Sequence, residues 1–160
     1  MELVFIFTYI HIHVMIHRKI IHMDIKPPNF ILTKGQLKVI DLGCAEQIPQ
    51  NQDFVLSNSS KGTEGYMAPE CFITYNNKRF QYSTRWAVDV NVRFIYPYDY
   101  RTDSYSLGIL LTYLRTRIKD KSDKVETYLK NTEDKCNLKD QFARPSSEEM
   151  LISMRSGSYI

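Results

Sequence analysis

Two short β-prone runs, Phe30–Thr33 and residues 36–40, are separated by Lys34-Gly35. Such runs on either side of a two-residue, glycine-containing turn predict a β-hairpin. A hairpin at this place holds its flanking residues, Asn29 and Asp41, close together on a rigid element. Before it, residues 22–29 form a polar loop containing Pro27 and Pro28. After it, residues 43–66 show neither helical nor strand periodicity and are polar in their middle (QIPQNQDFVLSNSSKG). A loop of that length inside a compact domain reads as functional or disordered.

The remaining pattern is mainly helical. Residues 3–17 are apolar nearly all round and predict a central core helix. Ile20–Ile21 is a short β-prone pair. Residues 102–114 (TDSYSLGILLTYL) have the spacing of an apolar helix capped by Thr102 or Asp103. Residues 146–154 predict a second helix, capped by Ser146 or Ser147, with Glu148 and Glu149 near its positive end. A short helix is expected over 70–75 after Pro69. Residues 76–101 are aromatic and mixed in charge, and no regular element is assigned to them. Residues 115–135 read as a charged, solvated surface. The fold class expected is mainly α with a small β-hairpin.

A chain of 160 residues has the length of one domain. With 43% hydrophobic and 24% charged residues it has an ordinary globular composition, which excludes wholesale disorder and collagen. A net charge of +3 is too mild to point to nucleic acid. Cys44, Cys71 and Cys136 form no CxxC pair, so free thiols in a reducing compartment, cytosol or nucleus, are expected. The opening MELVFIFTYIHIHVMI lacks the basic start and cleavage site of a signal peptide. It is short for a membrane span and is interrupted by His11 and His13. A buried helix is the reading, with a membrane-associated segment as the alternative. His13 and His17 stand one helical turn apart, but zinc takes three or four ligands, and no Asp or Cys is near them in sequence. Packing is the reading there.

Four local signals follow one another: His22-Met23-Asp24-Ile25-Lys26-Pro27-Pro28-Asn29, then Asp41-Leu42-Gly43, then Gly62-Thr63-Glu64-Gly65-Tyr66-Met67-Ala68-Pro69-Glu70, then Asp103-Ser104-Tyr105-Ser106-Leu107-Gly108, with Arg144-Pro145 beyond. In this order and spacing they resemble the C-terminal lobe of a eukaryotic protein kinase, over roughly residues 15–151. HMDIKPPNFILTKGQLKVIDLGCAEQI and GTEGYMAPE look most like the dual-specificity spindle-checkpoint kinases, the monopolar spindle family. The Asn29-Phe30 pair, the 34–41 run and the non-arginine residue before Asp24 carry that finer resemblance.

The resemblance implies a partial kinase domain over 1–160, with a catalytic loop at 22–29, an activation segment at 41–70 and lobe helices to about 154. It implies ATP and magnesium as cofactors and protein serine, threonine and possibly tyrosine as acceptors. Asp24 would orient the acceptor hydroxyl and take its proton, and Lys26 would meet the transferring phosphate as a point charge. Asn29 and Asp41 would bind magnesium, with Gly43 permitting the turn that aims Asp41. Gly62 and Thr63 belong to the activation segment, Thr63 at the position that contacts the catalytic Asp in Ser/Thr kinases. His22 would pack and hydrogen-bond within the catalytic loop. Glu70 and Arg144 would form a buried ion pair, and Asp103, as a helix cap, would hold the catalytic-loop backbone. Ser57, Ser59 and Ser60 lie where such kinases are phosphorylated, and a plain polar loop explains them equally well. No nucleic acid and no membrane partner is implied. Cytoplasm or nucleus is the implied location, the kinetochore if the finer resemblance holds.

The chain departs from the family pattern in three places. Met23 replaces the arginine that clamps an activation-loop phosphate, and a thioether cannot do so. Leu42 replaces phenylalanine, a mild swap within an apolar slot. The first glycine is Gly35, and before Asp24 the only lysine is Lys19 and the only acid Glu2. The chain is therefore expected to lack the N-terminal lobe with its Gly-rich loop and strand lysine. Two readings stand: a protein kinase, and a catalytically inactive kinase fragment that binds partners, among them an N-lobe or another kinase.

Overall fold

A computed structural model describes residues 18–34, 36–57, 61–71, 88–90, 93–119 and 122–156. The expected helix over 3–17, the histidines within it, Ser59 and Ser60 lie outside the described residues. Strand β1 (Ile20–Ile21) leads into the 22–29 loop, whose end tightens into a 3-10 turn at Pro27–Asn29. The hairpin follows as β2 (Phe30–Thr33) and β3 (Gln36–Val39), with Phe30 opposite Val39 and Thr33 opposite Gln36. Lys34 turns the chain at a φ of 49°. Strand β4 (Glu46–Gln47) runs antiparallel to β1, placing Glu46 opposite Ile21.

Strands β5 (Val55–Ser57), β6 (Val88–Val90) and β7 (Arg93–Tyr98) make a three-stranded antiparallel sheet in the order β5-β7-β6. The sequence pattern showed none of these three. Their pairing is made across the fold: Val55 faces Tyr98 more than forty residues away in the chain. The helix expected after Pro69 is a 3-10 turn over Pro69–Cys71 among the described residues.

Among the described residues, three α-helices complete the fold. Helix α1 (Tyr100–Arg115) begins earlier than the apolar pattern indicated. Its cap is Asp99, whose carboxylate accepts the Arg101 N–H at 2.7 Å, and not Thr102 or Asp103. Helix α2 (Asp123–Cys136) replaces the surface segment expected over 115–135. Ser122 caps it, and Val125, Tyr128, Leu129, Thr132 and Cys136 turn inward at helical spacing between the charged residues. Helix α3 (Ser147–Ser156) starts with the expected cap. Ser146 Oγ accepts the Glu149 N–H, and Glu149 Oε2 accepts the Ser146 N–H at 2.6 Å, a reciprocal capping box.

Helix α1 organises the core. On one side Leu107 and Leu110 pack with Ile25, Leu37, Cys136 and Met150. On another Leu111 meets Tyr128 and Leu129 of α2. A third cluster joins Ile21, Met23, Ile48, Met67, Ala68, Cys71 and Tyr98 beneath the 22–29 loop, with Tyr100 and Tyr105 of α1 against it. All three cysteines are free thiols. Burial pushes the Cys71 thiol up, and that of Cys136 up to about 12, so neither is a ready thiolate. Among the described residues no helix is long and apolar enough to cross a membrane.

Gly108 sets the approach of α1 to α2. A Cβ there would stand 2.7 Å from Cys136 Cβ and would also strike the Asn137 side chain. In an open helix Gly→Ala stabilises by about 1 kcal/mol. Here Gly108→Ala is expected to destabilise by about 2 kcal/mol through overpacking, read from the urea midpoint of unfolding.

Candidate active site

The 22–29 loop is fixed first by its backbone. Fully buried Asp103, in the first turn of α1, accepts the His22 N–H at 2.7 Å and the Met23 N–H at 2.9 Å, one with each carboxylate oxygen. Met23 adopts a φ of 67°, a conformation that disfavours a side chain by about 1–2 kcal/mol. The paired bonds to Asp103 and the burial of the Met23 side chain against Met67 and Ile48 hold it there. At the position of the family's arginine the chain thus has a core residue.

His22 then ties this loop to the hairpin. The Asp24 N–H points at His22 Nδ1 at 3.3 Å. An accepting Nδ1 leaves the ring proton on Nε2, which donates to the Ile40 carbonyl at 3.3 Å. The Ile40 N–H in turn donates to the Asn29 carbonyl at 2.9 Å. Ile40 is thus clamped between the loop and the hairpin base, and Asp41 follows directly.

Asp24 is the hub of the site. Thr63 Oγ1 donates to Asp24 Oδ1 at 2.6 Å. Lys26 Nζ lies 2.8 Å from Asp24 Oδ2 and donates to Thr63 Oγ1 at 2.7 Å. Asn29 Nδ2 donates to the Asp24 carbonyl at 2.8 Å and to its Oδ2 at 3.1 Å. Burial alone would push this carboxyl up, but the hydrogen bonds from Lys26, Thr63 and Asn29 together hold it below its ordinary value. The hydrogen bond to Asp24 likewise raises the Lys26 ammonium against its own desolvation, with the Asp41 charge assisting. The pair is a fixed carboxylate beside a fixed cation.

Asn29 and Asp41 flank the hairpin as the turn pattern predicted. The Asn29 amide nitrogen is committed to Asp24, which turns its amide oxygen away from that carboxylate. Asp41 is exposed and sits at a φ of 63°. The strained residue is therefore Asp41 itself; Gly43 does not have a positive φ. Gly43 contributes room instead: its N–H donates to Asp41 Oδ1 at 3.1 Å, and a Cβ would crowd that same oxygen at 3.1 Å. An amide oxygen and a carboxylate at the two ends of the hairpin are ligand types that suit magnesium, which takes few protein ligands and shares the rest with phosphate and water. Among the described residues no group of three His, Cys, Asp or Glu is placed to hold a metal by itself.

The framework residues fall where the motifs put them. Arg144, 2% exposed, makes a two-pronged ion pair with Glu70, at 2.7 Å to Oε1 and 2.8 Å to Oε2. Its remaining donors reach the carbonyls of Leu138, Lys139 and Arg101. Gly62 adopts a φ of 109° with its Cα face against the Met23 carbonyl. Leu42 is 53% exposed, so it occupies no apolar slot among the described residues. Sequence reasoning missed Glu46 and Lys61, which pair at 2.6 Å, and Ser106, whose hydroxyl donates to the Tyr66 carbonyl. Opposite charges at the two ends of the long loop were the only signal available.

A short hairpin packed against α1 is thus preceded by a loop that holds a lysine-paired carboxylate. A family profile described as "Protein kinase domain" matches residues 6–155, and the chain belongs to that family. It is 33% identical to "Dual specificity protein kinase TTK" of Mus musculus over 103 residues, covering 64% of this chain and 11% of the mouse protein. It is 38% identical to "Serine/threonine-protein kinase MPS1" of Saccharomyces cerevisiae over 73 residues, covering 43% of this chain and 10% of the yeast protein. With "Serine/threonine-protein kinase mph1" of Schizosaccharomyces pombe the identity is 40% over 65 residues, covering 41% and 10%. The chain thus spans about a tenth of the length of the curated relatives it matches.

The Asp24 contacts carry a pH signature. A depressed carboxyl contributes stability that is fully present above its ordinary value of 3.8 and is lost as pH falls through its lower folded value. Carboxyl carbon NMR is expected to place the Asp24 midpoint below 3.8 in the wild type. In Lys26→Ala the midpoint rises, because burial persists while the foremost counterweight is gone.

Proposed function

We propose that this chain carries the catalytic and substrate-facing half of a Ser/Thr or dual-specificity protein kinase. Its described residues would be the C-terminal lobe, with the catalytic loop at 22–29, the activation segment at 41–70 and lobe helices to about 154. One observation carries the reading. The buried Asp24 carboxylate is kept ionised by Lys26, Thr63 and Asn29, which is the state a proton acceptor requires.

In this reading an incoming serine or threonine hydroxyl displaces the Thr63 or Lys26 contact and donates to Asp24. Asp24 orients the hydroxyl and accepts its proton. Lys26, released toward solvent, meets the transferring phosphoryl group with its charge. Asn29 and Asp41 would hold magnesium beside them, and the metal, when bound, offsets charge on the ATP phosphates. No glycine precedes Gly35 in these 160 residues, so a Gly-rich phosphate loop would come from polypeptide outside them. Similarity to proteins named TTK and MPS1 supports dual specificity, a spindle-checkpoint role, and residence in cytoplasm and nucleus with recruitment to kinetochores.

A second reading, a noncatalytic protein-binding module, is favoured by the apolar side chains exposed around the hairpin: Ile31, Leu32, Ile40 and Leu42. ATP with magnesium separates the two. If ATP–Mg raises the thermal midpoint of the chain and supports phosphate transfer to a Ser/Thr peptide library, the catalytic reading stands. Asp24→Ala is then expected to slow transfer about 10²–10⁴-fold without lowering the unfolding midpoint by more than a few degrees. Transfer that survives this substitution removes Asp24 from its assigned role.

A further inference from the structure

Glu46 and Lys61 stand at the two ends of the long loop, and their side chains close it. Lys61 Nζ lies 2.6 Å from Glu46 Oε1, with the side chains 29% and 21% exposed. This pair is more sheltered than an open surface ion pair, whose net worth is small. Glu46 is not free to wander: β4 holds it opposite Ile21, one residue ahead of His22. The residues after Lys61 dock in sequence on the catalytic loop. Gly62 rests on the Met23 carbonyl so closely that a Cβ would stand 2.5 Å from that oxygen. Thr63 then donates to Asp24, and the Tyr66 and Met67 N–H groups fold back onto the Thr63 carbonyl.

Each of these contacts needs the backbone at 61–63 to be seated, and Thr63 has only one short hydroxyl with which to reach Asp24. Met23, buried and apolar, offers this segment a carbonyl and no charge. The charge at the segment's entry comes from Glu46. We propose that Glu46 and Lys61 form an electrostatic latch that seats residues 61–63, making both positioning residues for the Thr63–Asp24 contact. The anion of the latch is a side chain of strand β4. The consequence for catalysis rests on the kinase reading above; the latch itself does not.

The test is hydrogen exchange on the full chain, following peptides over 61–71 with the α1 amides as internal reference. Glu46→Lys and Lys61→Glu each remove the pair and set like charges together. Each is expected to speed exchange of the Tyr66 and Met67 amides about tenfold while α1 stays protected. The double swap, Glu46→Lys with Lys61→Glu, restores the pair in reverse and is expected to return exchange to within about twofold of wild type. Glu46→Gln and Lys61→Gln supply the same reading if a reversed charge unfolds the chain, which loss of α1 protection would reveal. Wild-type exchange in the single variants, or a double variant as fast as the singles, overturns the latch. Phosphate transfer, measured in parallel with the polypeptide that supplies the phosphate loop present, is a separate axis: its absence overturns the kinase reading and leaves the exchange result intact.

Discussion

The carboxylate of Asp103 reaches across 81 positions of sequence to hold the peptide nitrogens of His22 and Met23. A buried carboxylate is stable only when hydrogen bonds replace its lost water, and here both oxygens are used on two successive N–H groups. That geometry obliges the chain to turn sharply at Met23, into a left-handed conformation a methionine would not choose. The turn sends Asp24 toward Lys26 and Thr63, while His22 remains aimed at Ile40. Hairpin, loop and the segment that carries Thr63 therefore take their places from one side chain of α1.

Within the site, competing electrostatic effects are resolved by geometry. Desolvation favours a protonated Asp24; a lysine, a hydroxyl and an amide, all within 3.1 Å, favour the anion and prevail. Because Lys26 also donates to Thr63, the three side chains form a closed ring in which moving one loosens the other two.

The parts that were legible in the sequence are those written in short-range patterns. The β2–β3 hairpin followed from strand propensity and a glycine turn, and the capping box of α3 from Ser146 and Glu149. Helix α2 was present as apolar residues at 125, 128, 129, 132 and 136 behind a serine cap, but the charges between them masked the stripe. Strands β5, β6 and β7 were not legible, because Val55 finds its partner at Tyr98 and nothing local announces it. The start of α1 was misplaced because Asp103 looks like a cap, while its carboxylate is spent on the distant 22–29 loop. Motif order found Asp24, Lys26, Asn29, Asp41, Thr63, Glu70 and Arg144. It did not find Glu46 or Lys61, whose meeting depends on how the long loop returns.

The buried Arg144–Glu70 pair links positions 74 apart and the Asp103 bonds link positions 80 and 81 apart. Closing loops of that span loses chain entropy before any contact is gained, which makes such contacts slow to form. The hairpin can form locally and early, but the loop beside it acquires its shape only once α1, which carries Asp103, has docked. A nascent or clipped chain lacking α1 would therefore have the acidic residues of the site without their arrangement. Assembly of the site and docking of α1 are therefore one event.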